Sequence, residues 1–336
     1  MTSPFLESLG WTGFFAEQLG PDDAGLVPVR IASVHRSRLV AETETGQIRL
    51  GAQGNTADFA VGDWVLMDPA NRVATRKLAR KTLLRRRTEG GHAPQLIAAN
   101  VDTLFIVTSC NDDFNAARLE RYLALANEAG TRPVIVLTRI DQVVDATTYL
   151  EQARALQRGL EVVALNAKAP EAAAVLAPWC GPGQTVALVG SSGVGKSTLL
   201  NTLADKAPDA AQATGGIREN DAKGRHTTTA RSLHAIQGGG CAIDTPGMRT
   251  LHVSDVAGGL ETLFAEITEL APNCRFRDCT HAHEPGCAVR AAVAAGHLSA
   301  ERLERWRKLN AENLANTPVQ TGPRGNKIEH PRGKRR

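Results

Sequence analysis

Gly190-Ser191-Ser192-Gly193-Val194-Gly195-Lys196-Ser197, followed by Thr198, is a full match to the pattern GxxxxGK[ST]. That pattern does phosphate chemistry. Its glycines let a loop wrap backbone N–H groups around phosphate oxygens, Lys196 neutralises β- and γ-phosphate charge, and the Ser197 hydroxyl can ligate Mg²⁺. A glycine-rich turn without that role is the structural alternative, but few chance matches fall between a strand and a helix. Here an apolar run ends at Val189 and a helical stretch opens at Lys196. Further on, Cys241-Ala242-Ile243 leads into Asp244-Thr245-Pro246-Gly247. At such a strand end Asp244 can hold Mg²⁺ through water, and the Gly247 N–H can bind a γ-phosphate.

Between these two motifs, Gly224-Arg225-His226-Thr227-Thr228-Thr229 closes a polar stretch, residues 214–223, with neither strand nor helix patterning. A loop of that kind suits a switch ordered by Mg²⁺ and γ-phosphate and released on hydrolysis. Thr228 is the favoured threonine for the Mg²⁺ side. Met248 follows Gly247, where a Gln would orient the attacking water and a methionine cannot. The nearest polar candidate for that task on the switch is His226.

Guanine recognition uses an [N/T]KxD motif after a strand, its Asp accepting from N1 and N2 of the base. Nothing after the phosphate loop matches. Upstream, the apolar Val134-Ile135-Val136-Leu137 runs into Thr138-Arg139-Ile140-Asp141. Asp141 is placed for the base, Thr138 offers a hydroxyl where Asn is common, and Arg139 stands in for the lysine whose stem covers the base. After the next strand, Asn166-Ala167-Lys168 is similar to a Ser-Ala-Lys loop that touches guanine O6. The base-binding half therefore precedes the phosphate-binding half.

Near the C-terminus, Cys274, Cys279 and Cys287 bunch together with His281 and His283. Three thiolates and one imidazole suit closed tetrahedral Zn²⁺. The intervening Arg275, Arg277, Asp278 and Glu284 are too polar for an ordinary core. No carboxylate stands ready to activate water, so a structural metal is expected, worth roughly 10 kcal/mol or more towards folding. Either histidine can complete the set.

The elements that must position these residues fall into three groups. From residue 27 to 87 short alternating strands between turns predict a small β-barrel. From residue 91, strands alternate with helices, predicting a doubly wound α/β domain with a mainly parallel sheet. From residue 254 the chain turns helical around the cysteine cluster, ending in a charged helix at about 299–314. The expected division is 1–90, 91–253, 254–316 and a basic, disordered tail, 317–336. A length of 336 residues with 42% hydrophobic and 22% charged residues supports two or three cored domains.

Net charge is only +4, but eight basic residues between Arg72 and Arg87 have no acidic one among them. Such clustering predicts a polyanionic partner, with a solvated face as the alternative. Aromatics make up 4%, too few for a broad base-stacking platform, so contacts to phosphates are expected. No signal peptide, membrane span or disulfide framework is expected.

The barrel, the swapped motif order, the Gly224-to-Thr229 signature and the cysteine cluster together resemble the ribosome small-subunit-dependent GTPase A family of circularly permuted GTPases. The resemblance covers nearly the whole chain. It implies an N-terminal OB-like barrel, a central permuted P-loop GTPase domain and a C-terminal helical zinc-binding domain. It further implies a cytoplasmic, monomeric enzyme that uses GTP/GDP with Mg²⁺, matures the small (30S) ribosomal subunit on its 16S rRNA and is stimulated by that subunit. Within it His281 is the fourth zinc ligand, one zinc per chain, and His226 with Lys196 and Thr228 serves hydrolysis. Arg139 and Asn166 depart from the usual residues. Two other classes compete: an ATP-dependent kinase, which would leave Asp141, barrel and cysteines idle, and a nucleic-acid module with a vestigial loop, against which Lys196, Ser197 and Asp244 speak.

Overall fold

The computed structural model describes residues 3–87, 94–204, 231–245 and 253–318. Residues 214–229 with His226 and Thr228, residues 246–248 with Gly247 and Met248, and the tail 319–336 lie outside the described residues.

Two short helices, α1 (Pro4–Ser8) and α2 (Gly13–Ala16), open the chain, too short to show a helical period in the sequence. The Trp11 and Phe15 rings beside them pack on Trp64, with centroids 4.9 and 5.9 Å away. Strands β1 (Val27–Val34), β2 (Leu39–Thr43), β3 (Gly46–Ala52), β4 (Trp64–Asp68) and β5 (Val73–Lys77) close into a barrel of order β1-β2-β3-β5-β4. Bulges at Ile31/Ser33 and Leu66/Met67 give the strands the bend that closure needs. Val29, Ile31, Leu39, Leu50 and Val65 fill the interior.

The arginine-rich end of the basic run forms β6 (Leu83–Arg86), paired antiparallel with β7 (Gln95–Ala99) as a separate ribbon. The expected domain limit at residue 90 lies outside the described residues. The run is also less free than its composition suggests. Arg76 pairs with Asp23 at 2.7 Å, Arg80 with Asp63 at 2.6 Å and Arg87 with Asp255 at 2.5 Å. Each acidic partner lies far away in sequence, so the run shows no neutralisation when read linearly.

The alternating region builds one six-stranded sheet from β8 (Thr103–Ser109), α3 (Ala116–Glu128), β9 (Arg132–Thr138), α4 (Thr147–Arg154), β10 (Glu161–Ala164), α5 (Glu171–Leu176), β11 (Thr185–Val189), α6 (Lys196–Leu203), β12 (Ser232–Ala235) and β13 (Cys241–Asp244). Its order is β10-β9-β8-β11-β13-β12, parallel except for β12. Every residue of β8 and of β11 is buried, as strands covered on both faces require. Because β8, β9, β10, β11 and β13 run the same way, their C-terminal ends share one rim. Ligands of open α/β sheets bind there.

Helices α7 (Ala257–Leu263), α8 (Ala265–Leu270), α9 (Ala288–Ala294) and α10 (Ala300–Asn316) complete the fold. At Gly259 a Cβ would stand 2.1 Å from the Ala124 carbonyl oxygen, so only glycine lets α7 approach α3 this closely. Buried charges mark both seams. Arg30, 1% exposed, donates to the carbonyls of Leu9, Gly62 and Asn100, joining the first segment, the barrel and the sheet domain. Glu120, fully buried on α3, takes Arg302 at 2.8 Å and Arg305 at 2.9 Å from α10. Among the described residues no helix is long and apolar enough to cross a membrane.

Asp63 is fully buried and bound by Arg80 through both oxygens, at 2.6 and 2.7 Å. Arg80→Ala strands that carboxylate with the Ala60 N–H, 2.8 Å away. It should lower stability by about 3–5 kcal/mol in urea unfolding, since an orphaned buried charge costs more than a surface pair contributes. A loss below about 1 kcal/mol, the range of surface pairs, would contradict this.

Candidate nucleotide site and metal centre

The phosphate loop begins where β11 ends. Gly190 has φ of 140°, and a Cβ there would stand 2.1 Å from the Val107 carbonyl oxygen on the neighbouring strand. A side chain at 190 would push the loop off the sheet. Gly195, at φ 99°, turns the chain into α6 and serves as its N-cap, so the first turn of that helix directs its open N–H groups towards the loop. The Lys196 ammonium donates to the carbonyls of Gly190, at 2.9 Å, and Ser191, folded over the loop it would serve. Asp244 ends β13, 8% exposed and in register with Leu188. Next to it the Thr245 hydroxyl donates to the Leu188 carbonyl, fixing that strand end against β11.

The base-side residues arrive at the same rim. Thr138 ends β9 with 1% exposure, and its hydroxyl donates to the Val194 carbonyl at 2.7 Å, with the Thr108 carbonyl 3.2 Å away. In this structure the hydroxyl faces the phosphate loop and ties the two halves of the site together. Arg139, in the left-handed region at φ 59°, reaches Gly193, donating to its carbonyl at 2.5 Å. Ile140 and the exposed Asp141 follow in a short 3-10 turn. Asn166 accepts from the Lys168 N–H at 3.0 Å, and the Ala167 carbonyl accepts from Thr202 of α6 at 2.8 Å. Both base-side loops are thus hydrogen-bonded to the loop or helix of the phosphate side. Thr202, which performs part of this fastening, escaped the sequence reading because a lone threonine carries no motif.

Cys274, Cys279, His281 and Cys287 place their ligand atoms within 4.8 Å of one another. The measured separations are 3.8 Å between the Cys274 and Cys287 sulfurs, and 3.5 and 3.4 Å from these to His281 Nδ1. Tetrahedral Zn²⁺, with bonds of about 2.3 Å to sulfur and 2.0–2.1 Å to nitrogen, sets its ligands about 3.5–3.8 Å apart. The donor set fits such an ion. His283 is exposed, and the structure gathers His281 rather than His283 with the sulfurs. Burial lowers the His281 pKa, with Glu284 opposing and Arg307 assisting, so the neutral imidazole that ligates metals predominates near pH 7. The His281 ring lies 5.3 Å from that of Trp306 on α10, and its carbonyl accepts from Arg307. The Thr280 hydroxyl, and after it N–H groups of Thr280, Ala282 and His283 at 2.8–3.1 Å, donate to Glu284, holding its carboxyl well below the usual range and shaping the ligand loop.

The RsgA GTPase family model matches residues 77–254 of this chain. A small ribosomal subunit biogenesis GTPase RsgA from Mesorhizobium japonicum is 67% identical across the whole chain and 97% of its own length. The chain belongs to the RsgA GTPase family. A relative from Vibrio vulnificus, small ribosomal subunit biogenesis GTPase RsgA 2, is 49% identical over 93% of this chain and 88% of its own. The crystal structure of YjeQ from Thermotoga maritima matches with a TM-score of 0.63 and 26% identity, covering 87% of this chain and 99% of that one. YloQ, a circularly permuted GTPase, matches in fold with a TM-score of 0.60. As an RsgA-family member the chain is a GTP hydrolase, and the family implies a guanine nucleotide with Mg²⁺.

The chain's other thiols stand apart from the ligand cluster. Cys110, Cys180 and Cys241 are buried, and burial raises all three thiol pKa values, Cys180 to about 12. Thiolates react and buried thiols resist. Treating the folded protein with a chelator should therefore expose Cys274, Cys279 and Cys287 to a maleimide, whereas denaturant should expose all six cysteines. Mass spectrometry of the chelated protein would contradict this reading if Cys110, Cys180 or Cys241 carried label equally.

Proposed function

We propose that this GTPase binds the small ribosomal subunit and assists its late maturation, hydrolysing GTP to GDP and phosphate with stimulation by the subunit. The observation that carries the reading is the single rim on which Thr138 and Arg139 are bonded to the phosphate loop. That arrangement supports one guanine nucleotide held by both halves. The names of the relatives, small ribosomal subunit biogenesis GTPases, support the partner.

In this reading Asp141 accepts from the guanine edge, the Arg139 stem covers the base, and the 166–168 loop approaches O6. Residues 190–198 wrap the phosphates, Lys196 offsets their charge, and Ser197 and Asp244 hold Mg²⁺, which supplies charge neutralisation at the β- and γ-oxygens. Zn²⁺ is the structural ion of the Cys274, Cys279, His281 and Cys287 cluster, fixing the 254–316 domain as a folded unit. The barrel and the adjoining β6–β7 ribbon meet 16S rRNA through phosphates, using exposed arginines such as Arg36, Arg38 and Arg49 on the barrel and Arg85 on the ribbon rather than the whole basic run. We place the enzyme in the cytoplasm as a monomer.

Asp141→Asn removes an ionised acceptor for the base, a contact worth about 1.5–3 kcal/mol. GTP affinity should fall roughly ten- to a hundredfold by fluorescent-nucleotide titration. Undiminished GTP binding in that variant would move base recognition elsewhere.

His226 orients the attacking water once the subunit orders the switch. His226→Ala should abolish most subunit-stimulated hydrolysis while GTP affinity stays near that of the parent, since a water-positioning group of this kind can be worth 10³–10⁵ in rate. Full stimulation by 30S subunits in the variant would assign the role to a ribosomal group instead.

A further inference from the structure

An arginine that belongs to no motif reaches the phosphate loop. Arg118 lies in the first turn of α3, and its guanidinium donates to the Ser191 hydroxyl, 73 positions along the chain. Ser191 is gripped from a second side, because Lys196 donates to its carbonyl. Asp113 stands 4.0 Å from Arg118, with both side chains more than a third exposed, so that pairing is weak. The loop contact is the closer one.

The helix that carries Arg118 is itself held close to that residue. Asn115 caps it by accepting the Arg118 N–H at 2.9 Å. Glu120 takes Arg302 and Arg305, and Arg121 pairs with Glu312 at 2.6 Å, so α10 fixes α3 within one turn of Arg118. A side chain presented from a pinned helix is preorganised, and preorganised charge acts most strongly where charge develops during reaction.

We propose that Arg118 is a positioning residue for GTP hydrolysis: acting through Ser191, it holds the phosphate loop in its wrapped shape and keeps a second fixed positive charge beside Lys196. The inference rests on the reading of residues 190–198 as the phosphate loop and is independent of the guanine motif. Gly190, Gly193 and Gly195 all have positive φ, so the loop has many other conformations open to it and gains from an external brace. The charge held by this brace acts where charge develops, at the γ-phosphate that GDP lacks. Its loss therefore falls on kcat and spares GDP affinity.

The test compares the full-length parent with Arg118→Ala, Ser191→Ala, the double variant and Arg118→Lys, under saturating GTP and Mg²⁺. Loss of one charge-assisted hydrogen bond should lower kcat roughly tenfold in each alanine variant, with GDP affinity changed less than about threefold. The double variant should be no slower than the singles, because both remove the same contact. Arg118→Lys keeps the charge without the planar fork and should recover part of the rate. Ser191→Ala leaves α3 and every cation in place, so it decides the matter even if Arg118→Ala fails to fold. Rates within twofold of the parent, losses that add in the double variant, or GDP affinity falling as far as kcat would each overturn the proposal. Lys196→Ala separates the two readings. Undiminished hydrolysis there would remove the phosphate-loop reading itself, whereas an inactive Lys196→Ala beside a fully active Ser191→Ala would sink only the role of Arg118.

Discussion

Val186 to Val189 on β11 lie in parallel register against Thr103 to Ile106 on β8, and this ladder joins two halves that the chain delivers in swapped order. Strand β8 brings with it β9 and β10, whose ends carry the base-side loops. Strand β11 brings β13, whose end carries Asp244. A parallel sheet does not record the order in which its strands were made. It requires only that they point the same way, since that alone puts their C-terminal ends on one rim. Gly190 shows how tightly the joint is drawn, for its backbone rests against the Val107 carbonyl with no room for a side chain.

Permutation moves the chain ends without moving the site, and that changes what the site is connected to. In this chain β8 follows directly from the barrel and the β6–β7 ribbon, so the base side is continuous with the N-terminal unit. The phosphate side runs from Asp244 into the C-terminal helices. Hydrogen bonds from Thr138 to Val194 and from Arg139 to Gly193 then close the gap between the halves. A nucleotide on this rim touches residues continuous with both flanking domains.

The sequence made the chemistry legible where several residue types must coincide. The phosphate loop needs glycines, a lysine and a hydroxyl between strand and helix, and the metal cluster needs soft ligands among polar neighbours. Strands β8, β9 and β11 were legible because their buried centres, residues 104–107, 134–137 and 186–189, are apolar runs. What escaped depended on contacts between distant residues. Arg76, Arg80 and Arg87 read as free cations because Asp23, Asp63 and Asp255 are remote in the chain. Thr138 read as a base contact because its type and position permit one, yet the fold points its hydroxyl at Val194. Arg118 and Glu120 belong to no motif, and only the packing of the phosphate loop and α10 assigns them partners.

Charge at the seams explains how the parts hold their orientation. Apolar surfaces alone would let neighbouring units slide, because hydrophobic contact is non-directional. Arg30 fixes three backbone segments through separate N–H groups, and one oxygen of Glu120 takes two arginines of α10, so each seam pairs its buried charge in one geometry. Glu312 extends this to the chain that leaves the nucleotide rim. One of its oxygens accepts the Val253 N–H at 3.1 Å while the other binds Arg121 of α3 at 2.6 Å. The segment following the β13 end, the last helix and the helix that braces the phosphate loop therefore meet at one carboxylate. Val253 thus contacts Glu312, Glu312 contacts Arg121 of α3, and Arg118 of α3 contacts Ser191, so side chains as well as backbone connect the C-terminal helices with the phosphate loop.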